Sequence, residues 1–336
     1  MSEIRSGIAE VDFAACDRLA DVIRCLDVPR DEEKPHPSEP GEDDLGNFYL
    51  LLVGICHQTQ NLEGTVGGHW QRGWDYLQSK LLEQFERDPG LLTPARWKEL
   101  SADDLAHLFA APDTGNTLTG LHRRAELVRD LGQCMERRRW STLKDLYRVA
   151  KQRIETGSPN LLDLLAEFQA YSDPVRKKSL FLLGLMRNSA GWRYADEESL
   201  GPPVDYHESR GHLRLGTVRI RSAGLEAKIR ARRTVKREED VAIRSAVYRA
   251  ILCMAQRPGL PNAMCLHYLF WNIFRTVCRR DSPHCTYYPP NGAVDARYRH
   301  LVLRPDGDSG CPFAQVCASA RVEDRYLEQQ FETDWY

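Results

Sequence analysis

The sequence predicts an all-α protein with little sheet, because helical spacing of apolar residues recurs along most of the chain whereas strand-like alternation is rare. Of the 336 residues, 42% are hydrophobic, which is enough for a large core or for two lobes that share a cleft. Alternation typical of strands occurs only in LRLGTVRIR at 213–221 and in RHLVL at 299–303. We therefore expect a mostly helical fold, with either one large core or two lobes.

The helical segments can be followed in order. The first has amphipathic spacing over 10–27, and an acidic linker follows from Pro29 to Gly46. Three prolines break regular structure in this linker: Pro35, Pro37 and Pro40. From Asn47 the run NFYLLLVGICHQTQ is too apolar for a surface helix and predicts a helix packed on most sides. Further helices are predicted at 69–87, 102–111, 117–137, 142–155, 160–171, 174–187, 237–257 and 262–277, with a loop at 188–204.

These elements predict three parts. They are an N-terminal helix and linker (1–46), a helical domain of two lobes (47–277) and a cysteine-rich loop with the C-terminal tail (278–336). No segment has the features of a secretory signal, and no stretch approaches the roughly 20 apolar residues that span a bilayer. We expect a cytoplasmic monomer without a membrane partner.

Positive charge is concentrated in one stretch, although the formal net charge of the chain is only −2. Between Arg214 and Arg237 the only acid is Glu226. The basic residues there are Arg219, Arg221, Lys228, Arg230, Arg232, Arg233 and Lys236. Such a stretch suits a polyanion such as nucleic acid, although a solvated helix face has the same pattern.

Four of the ten cysteines form two pairs near the C-terminal end of the sequence. Six residues separate Cys278 from Cys285, five separate Cys311 from Cys317, and 25 residues lie between the pairs. Thiolates are good ligands for iron–sulfur clusters and for zinc. Structural zinc sites use ligands two to four residues apart, so the wider pairs favour a [4Fe–4S] cluster, with zinc as the alternative.

The outer spacings resemble the C-x6-C-x2-C-x5-C cluster loop of the endonuclease III and adenine-mismatch branch of the helix–hairpin–helix DNA glycosylases. The central gap differs, because that family has two residues where this chain has 25. Pro312, directly after Cys311, is also similar to the family's third-cysteine segment. The resemblance implies the family's helical fold with a four-cysteine cluster loop.

Upstream segments resemble the same superfamily in the same order. The run NFYLLLVGICHQTQ is similar to a helix that ends in a Gln-Thr element facing DNA, and Gln58 is the matching residue. The stretch DPVRKKSLFLLGLM occupies the place of the family's hairpin, without its usual glycines. There Lys178 matches a lysine that is a Schiff-base nucleophile in bifunctional members, and Lys177 is its neighbour. For both lysines, phosphate contact or simple solvation is the alternative.

The most specific catalytic resemblance is Val204-Asp205-Tyr206-His207, which is similar to the V-D-T-H element that carries the family's catalytic aspartate. Arg210 follows, as an arginine does in the family. A carboxylate near the anomeric carbon stabilises the oxocarbenium character that develops when an N-glycosidic bond breaks. An aspartate after two prolines is also typical of an ordinary helix N-cap, and the two roles can coexist.

These resemblances imply a monofunctional DNA glycosylase that flips an altered base from duplex DNA and releases it with water. Asp205 would be the catalytic carboxylate, while Gln58, Lys177, Arg210, Arg230, Arg232 and Arg233 would contact DNA. From Glu238 to Trp271 the chain also resembles queuosine-salvage nucleoside hydrolases, so hydrolysis of a modified nucleoside or nucleotide is a second possibility. A DNA-binding module without catalysis is a third.

Overall fold

The computed structural model describes residues 7–30, 40, 42–59, 61–303, 309–320 and 322–336. Pro35 and Pro37 of the predicted linker lie outside the described residues. The structure is 52% helix and 7% strand, which confirms the prediction of a mostly helical protein. No helix in the described part of the chain is both long enough and apolar enough to span a bilayer.

The helices and strands are as follows. The α-helices are α1 (Phe13–Arg24), α2 (Glu42–Ile55), α3 (Gly73–Arg87), α4 (Pro94–Glu99), α5 (Ala102–Leu108), α6 (Leu121–Arg138), α7 (Leu143–Val149), α8 (Leu161–Leu165), α9 (Lys177–Ser189), α10 (Tyr206–Leu215), α11 (Ala223–Arg230), α12 (Arg237–Ala255), α13 (Ala263–Thr276) and α14 (Arg299–Val302). The strands are β1 (Ala9–Val11), β2 (Glu63–Val66), β3 (His69–Arg72), β4 (Ala110–Ala111), β5 (Gly115–Asn116) and β6 (Val218–Ile220).

The chain divides into two compact units. One contains Met1–Glu32 and Gly201–Glu332 and is called here the four-cysteine unit. The other contains Glu33–Leu200 and Thr333–Tyr336 and is called the central unit. Each unit therefore includes segments that are far apart in the sequence.

The central unit is built around α2, whose residues are apolar on nearly every side. Leu50, Leu52 and Val53 have no exposed surface, because α3, α6, α7 and α9 pack around this helix. Tyr171 ties the helix down further by donating a hydrogen bond to the Leu50 carbonyl, at 2.7 Å. The prediction of a core helix in this segment is confirmed, although the helix begins at Glu42, inside the predicted linker.

The four-cysteine unit is built on α10, α12 and α13, with α1 packed on α12. Buried apolar residues of α12 and α13, such as Ile243, Val247 and Phe270, form its core. Its small sheet joins the N-terminal segment to the middle of the chain, because β1 pairs antiparallel with β6.

Two strand predictions need correction. Residues 213–215 of the predicted strand 213–221 complete α10, which ends at Gly216 with a left-handed φ of 82°, and only Val218–Ile220 pairs as a strand. The run at 299–303 was wrong as a strand, because Arg299–Val302 is helical and only Leu303 forms an isolated bridge, to Ser309. Conversely, β2 and β3 form a hairpin that the helical prediction for 69–87 missed. Short apolar runs carry little information about which state tertiary contacts select.

Candidate active site and metal centre

Asp205 caps the N-terminus of α10. Its Oδ1 accepts hydrogen bonds from the backbone N–H groups of His207, at 2.7 Å, and Glu208, at 3.3 Å. Its Oδ2 accepts a third from the indole Nε1 of Trp271, at 3.2 Å. Only 8% of the residue is exposed. The positive end of the helix dipole and three N–H donors thus stabilise one nearly buried negative charge.

Titratable side chains surround this carboxylate. Glu208 is fully buried and accepts a hydrogen bond from His267 Nδ1 at 2.9 Å, and burial raises its pKa. Burial also lowers the pKa of His207 to about 4, so its imidazole is neutral near pH 7. The His207 ring lies 4.2 Å from that of Tyr206, centroid to centroid. Glu208 and the neutral His207 thus lie in the first turn of α10 beside Asp205, and His267 of α13 contacts Glu208.

Two arginines on one face of α10 bind the segment that begins at Cys278. Arg210 Nε and Arg214 Nη1 both donate to the Cys278 carbonyl, at 3.3 and 3.4 Å. Arg214 also donates to the carbonyls of Arg279 and Arg280, at 2.8 and 2.7 Å. A four-residue spacing places both side chains on the same side of the helix. This helix therefore connects the Asp205 carboxylate to the first of the four cysteines.

Arg210 is not placed for DNA contact as predicted. It is 2% exposed, and its guanidinium pairs with Glu328 at 2.8 Å and donates to the Phe274 carbonyl at 2.7 Å. It also lies 3.1 Å from His207 Nδ1. Its donors are thus engaged inside the four-cysteine unit. Gly211 lets α10 approach α13 this closely, because a Cβ there would lie 2.2 Å from the Phe274 ring.

All four predicted cysteines line one cavity. The wall of this cavity also includes Arg214 and His284. The Arg214 guanidinium lies 3.4 Å from Cys278 Sγ, and the Cys317 thiol donates to the Arg214 carbonyl at 3.3 Å. Burial raises the pKa of Cys317 to about 11 and also raises the pKa of Cys311 well above its ordinary value.

The described residues between the cysteine pairs, 286–303 and 309–310, form an excursion that returns to its starting point. Cys311 N donates to the Cys285 carbonyl at 3.2 Å, so the two inner cysteines are adjacent despite their separation in sequence. Gly310 makes this approach possible with a φ of 134°. A Cβ at Gly310 would lie 2.9 Å from the Cys285 carbonyl oxygen. The long central gap is therefore compatible with a compact set of four thiols.

The donor set is chemically suited to a metal centre. Within the described ranges, no group of three or more His, Cys, Asp or Glu side chains is arranged to hold a single metal ion. The four thiols nevertheless surround one cavity, with an arginine N–H near one sulfur. Soft thiolate donors and N–H groups near the sulfurs are the features that iron–sulfur clusters use. The residues that could hold such a group are Cys278, Cys285, Cys311 and Cys317.

The predicted lysines are the first two residues of α9 in the central unit, next to the C-terminal end of α2. Lys178 has no exposed surface, and its Nζ donates to the Gly54 carbonyl at 2.6 Å and lies 3.5 Å from His57 Nδ1. Burial lowers its pKa to about 7. Lys177 is partly exposed and lies over the Phe181 ring, with Nζ 5.0 Å from the centroid. Gln58 has a left-handed φ of 49°, and its side chain donates to the Thr333 carbonyl at 2.9 Å.

Most of the basic stretch is paired with acids that lie elsewhere in the sequence. Arg219 pairs with Asp12, Arg221 with Glu10, and Lys228 with Glu239. Arg230 pairs with Glu226 and Asp324 and stacks on Tyr326, 4.6 Å from the ring centroid. Arg232 is exposed and lies 3.5 Å from Asp281, and Arg233 is exposed. The local excess of positive charge is thus smaller in the fold than in the sequence.

The structure brings Asp205, Arg210 and the four cysteines together in the four-cysteine unit, whereas Gln58, Lys177 and Lys178 belong to the central unit. Sequence reasoning missed Arg214, Glu208, His267 and Trp271. Four-residue spacing could have indicated one of these relationships, since Trp271 follows His267 on the predicted helix 262–277, whereas Arg214 fell in the predicted strand 213–221.

Comparison with known proteins adds no family to this description. No protein-family model matches the chain. No curated protein matches it either. The features of this chain that bear on its function are the geometry around Asp205 and the four-cysteine cavity.

Proposed function

We propose that this protein hydrolyses an N-glycosidic bond and releases an altered base from DNA. The observation that carries the proposal is the Asp205 carboxylate, held nearly buried at a helix N-terminus and hydrogen-bonded by Trp271. A fixed negative charge in a site with little water stabilises developing positive charge on a sugar far better than a solvated one does. The same geometry fits the aspartate implied by the V-D-x-H element.

In this mechanism Asp205 faces the anomeric carbon, stabilises its oxocarbenium character and orients the attacking water. The Trp271 indole holds the carboxylate by its hydrogen bond to Oδ2, and Arg275 lies over the Trp271 ring, 4.7 Å from the centroid. A lysine nucleophile would have to reach the sugar, but Lys178 is fully buried. We therefore propose release of the base by water, without a lyase step.

The four cysteines would hold a [4Fe–4S] cluster, with zinc as the alternative occupant. Such a centre would supply a structural cross-link for the Cys278–Cys317 segment rather than a step of the reaction. Arg210 and Arg214 would connect this segment to α10, because both side chains donate hydrogen bonds to the Cys278 carbonyl. Metal binding would in this way support the helix that carries Asp205.

A modified nucleoside or nucleotide is the second candidate substrate. The ion pairing of Arg219, Arg221, Lys228 and Arg230 favours it, because paired arginines and lysines offer less attraction for a long polyanion. Asp205 and Trp271 would serve the same bond cleavage in a free nucleotide.

The test is single-turnover base release from a panel of DNA duplexes, each with one altered base, and from the matching free nucleotides. Asp205→Asn should lower the rate about a hundredfold or more, because it removes the charge. The α10 cap should survive, since asparagine caps helices about as well as aspartate. Asp295→Asn changes another capping aspartate of the same unit and should leave the rate unchanged.

Release only from nucleotides would select the second candidate, and DNA binding without release from any substrate would indicate a non-catalytic module. Full activity of a folded Asp205→Asn variant would refute the catalytic assignment.

A further inference from the structure

The segment Thr333–Tyr336 lies within the central unit, against Gln58, which the sequence resemblance assigned to DNA contact. Gln58 Nε2 donates to the Thr333 carbonyl at 2.9 Å. The Arg123 guanidinium binds one carboxylate oxygen of Asp334 through Nε at 2.8 Å and Nη2 at 2.7 Å. Trp335 and Tyr336 are both buried, with 7% and 8% of their surface exposed. Four consecutive residues therefore occupy one site, here called the tail site.

The surroundings of the tail site are cationic. His57, Arg124 and Lys178 are buried near the end of α2, where Arg124 donates to the His57 carbonyl at 2.6 Å. Burial lowers the pKa of His57, and the charges of Lys178, Arg124, Arg123 and Lys177 lower it further. The negative charge of Asp334, by contrast, raises the pKa of Lys178. The tail thus brings a negative charge to Arg123 and Lys178, while His57 is neutral.

The tail presents an anionic oxygen and aromatic rings, two kinds of group that a short nucleic-acid strand also presents. Asp334 offers an anionic oxygen to an arginine, as a phosphate does. The adjacent Trp335 and Tyr336 offer planar aromatic rings in buried positions, as unstacked bases do. Gln58 donates to a backbone carbonyl of the tail, and the same amide group could instead hydrogen-bond to the edge of a base.

We propose that the tail site is a nucleic-acid binding site, and that Thr333–Tyr336 occupies it as an internal competitor that must leave before a strand can bind. The inference rests on the proposed function for the identity of the ligand. Arg123 would take the phosphate that Asp334 imitates, and Gln58 would contact the strand beside it. The tail lowers the affinity of the intact chain for DNA.

The test is the affinity for a fluorescently labelled DNA duplex, measured by anisotropy, of the intact chain, a chain without residues 333–336 and Asp334→Asn. Asp334→Asn should tighten binding roughly two- to fivefold, the change that corresponds to one partly exposed ion pair. The shortened chain should bind more tightly still, and the synthetic peptide Thr-Asp-Trp-Tyr added in trans should reverse that gain. Glu136→Gln removes one exposed acid of the same unit, paired with Lys98, and should leave affinity unchanged.

Equal affinity of the intact chain and Asp334→Asn, or failure of the peptide to compete with DNA, would overturn the proposal. If the shortened chain does not fold, Asp334→Asn decides the matter alone. Base release measured on the same proteins separates the two ideas. Tighter DNA binding by the variants without any base release would support the tail site and refute the proposed activity. Base release that does not depend on the tail would support the activity and refute the tail site.

Discussion

Asp205 shows how one side chain can serve structure and chemistry together. As an N-cap it satisfies two backbone N–H groups that α10 itself cannot pair. As a carboxylate it contributes a negative charge beside Trp271. The two roles separate experimentally, because asparagine retains the cap and alanine does not. Asp205→Ala should therefore cost about 1 kcal/mol of stability that Asp205→Asn does not.

Lys178 is the buried charge whose pH dependence is easiest to test. Its pKa of about 7 in the folded chain lies below the ordinary 10.5, because burial disfavours the ammonium form. Between those pH values the unfolded chain binds a proton that the folded chain lacks, so the contribution of Lys178 to the free energy of unfolding rises with pH. Lys178→Met removes this pH-dependent contribution. The free energy of unfolding of Lys178→Met minus that of the parent chain should therefore be most positive near pH 7 and should fall towards pH 10. Urea unfolding of both proteins at the two pH values measures this difference.

The matched substitution is Lys236→Met, at a lysine with 70% of its side chain exposed. It reports the effect of replacing lysine by methionine without burial. A Lys178→Met difference that does not change between pH 7 and 10 would show that Lys178 is charged in the folded chain.

At the scale of elements, the excursion between Cys285 and Cys311 depends on one glycine. Gly310→Ala forces a side chain into a left-handed conformation and against the Cys285 backbone. We expect lower metal content and a lower melting temperature, although no cysteine has changed. Gly224→Ala in α11 is the control, because a Cβ there meets only Ser222 Oγ at 3.9 Å. Full metal content in Gly310→Ala, measured by colorimetric assay, would show that the excursion tolerates a different path.

The exposed end of the basic stretch gives a prediction about DNA. Arg232 and Arg233 are exposed, whereas Arg230 holds Glu226 and Asp324. Reversing Arg232 and Arg233 to glutamate should weaken DNA binding for all sequences alike and reduce its dependence on salt, because fewer counterions would be released. Arg148→Glu, at an arginine of α7 with 68% of its side chain exposed, is the control for a single charge reversal outside the basic stretch. Binding that does not respond to salt would count against a duplex ligand.

At the scale of the whole molecule, the main prediction concerns the metal. Anaerobically purified protein should be brown and contain about four iron atoms per chain. Cys285→Ser and Cys311→Ser should lose the iron and destabilise the four-cysteine unit, since metal binding is coupled to folding. Cys25→Ser removes an exposed cysteine outside the cavity and should retain the iron. About one zinc per chain and no iron would replace the cluster with a mononuclear site.

The sequence by itself determined the helical class, the core position of α2 and the four cysteines that share a cavity. These follow from local information: apolar spacing has the period of a helix, and thiol residues stand out by composition. The Asp205 cap was also predictable, because an N-cap is set by neighbours within a few residues.

Tertiary structure decided the rest. The basic stretch carries one acid in the sequence, but folding places Asp12, Glu239 and Asp324 beside its members. Cys311 and Cys285, separated by 25 residues in sequence, are brought together by the hydrogen bond between their backbones. The tail reaches Gln58 across 275 positions of the chain. Charge pairing, loop closure and occupancy of a site depend on residues distant in sequence, and no local pattern records which of them will meet.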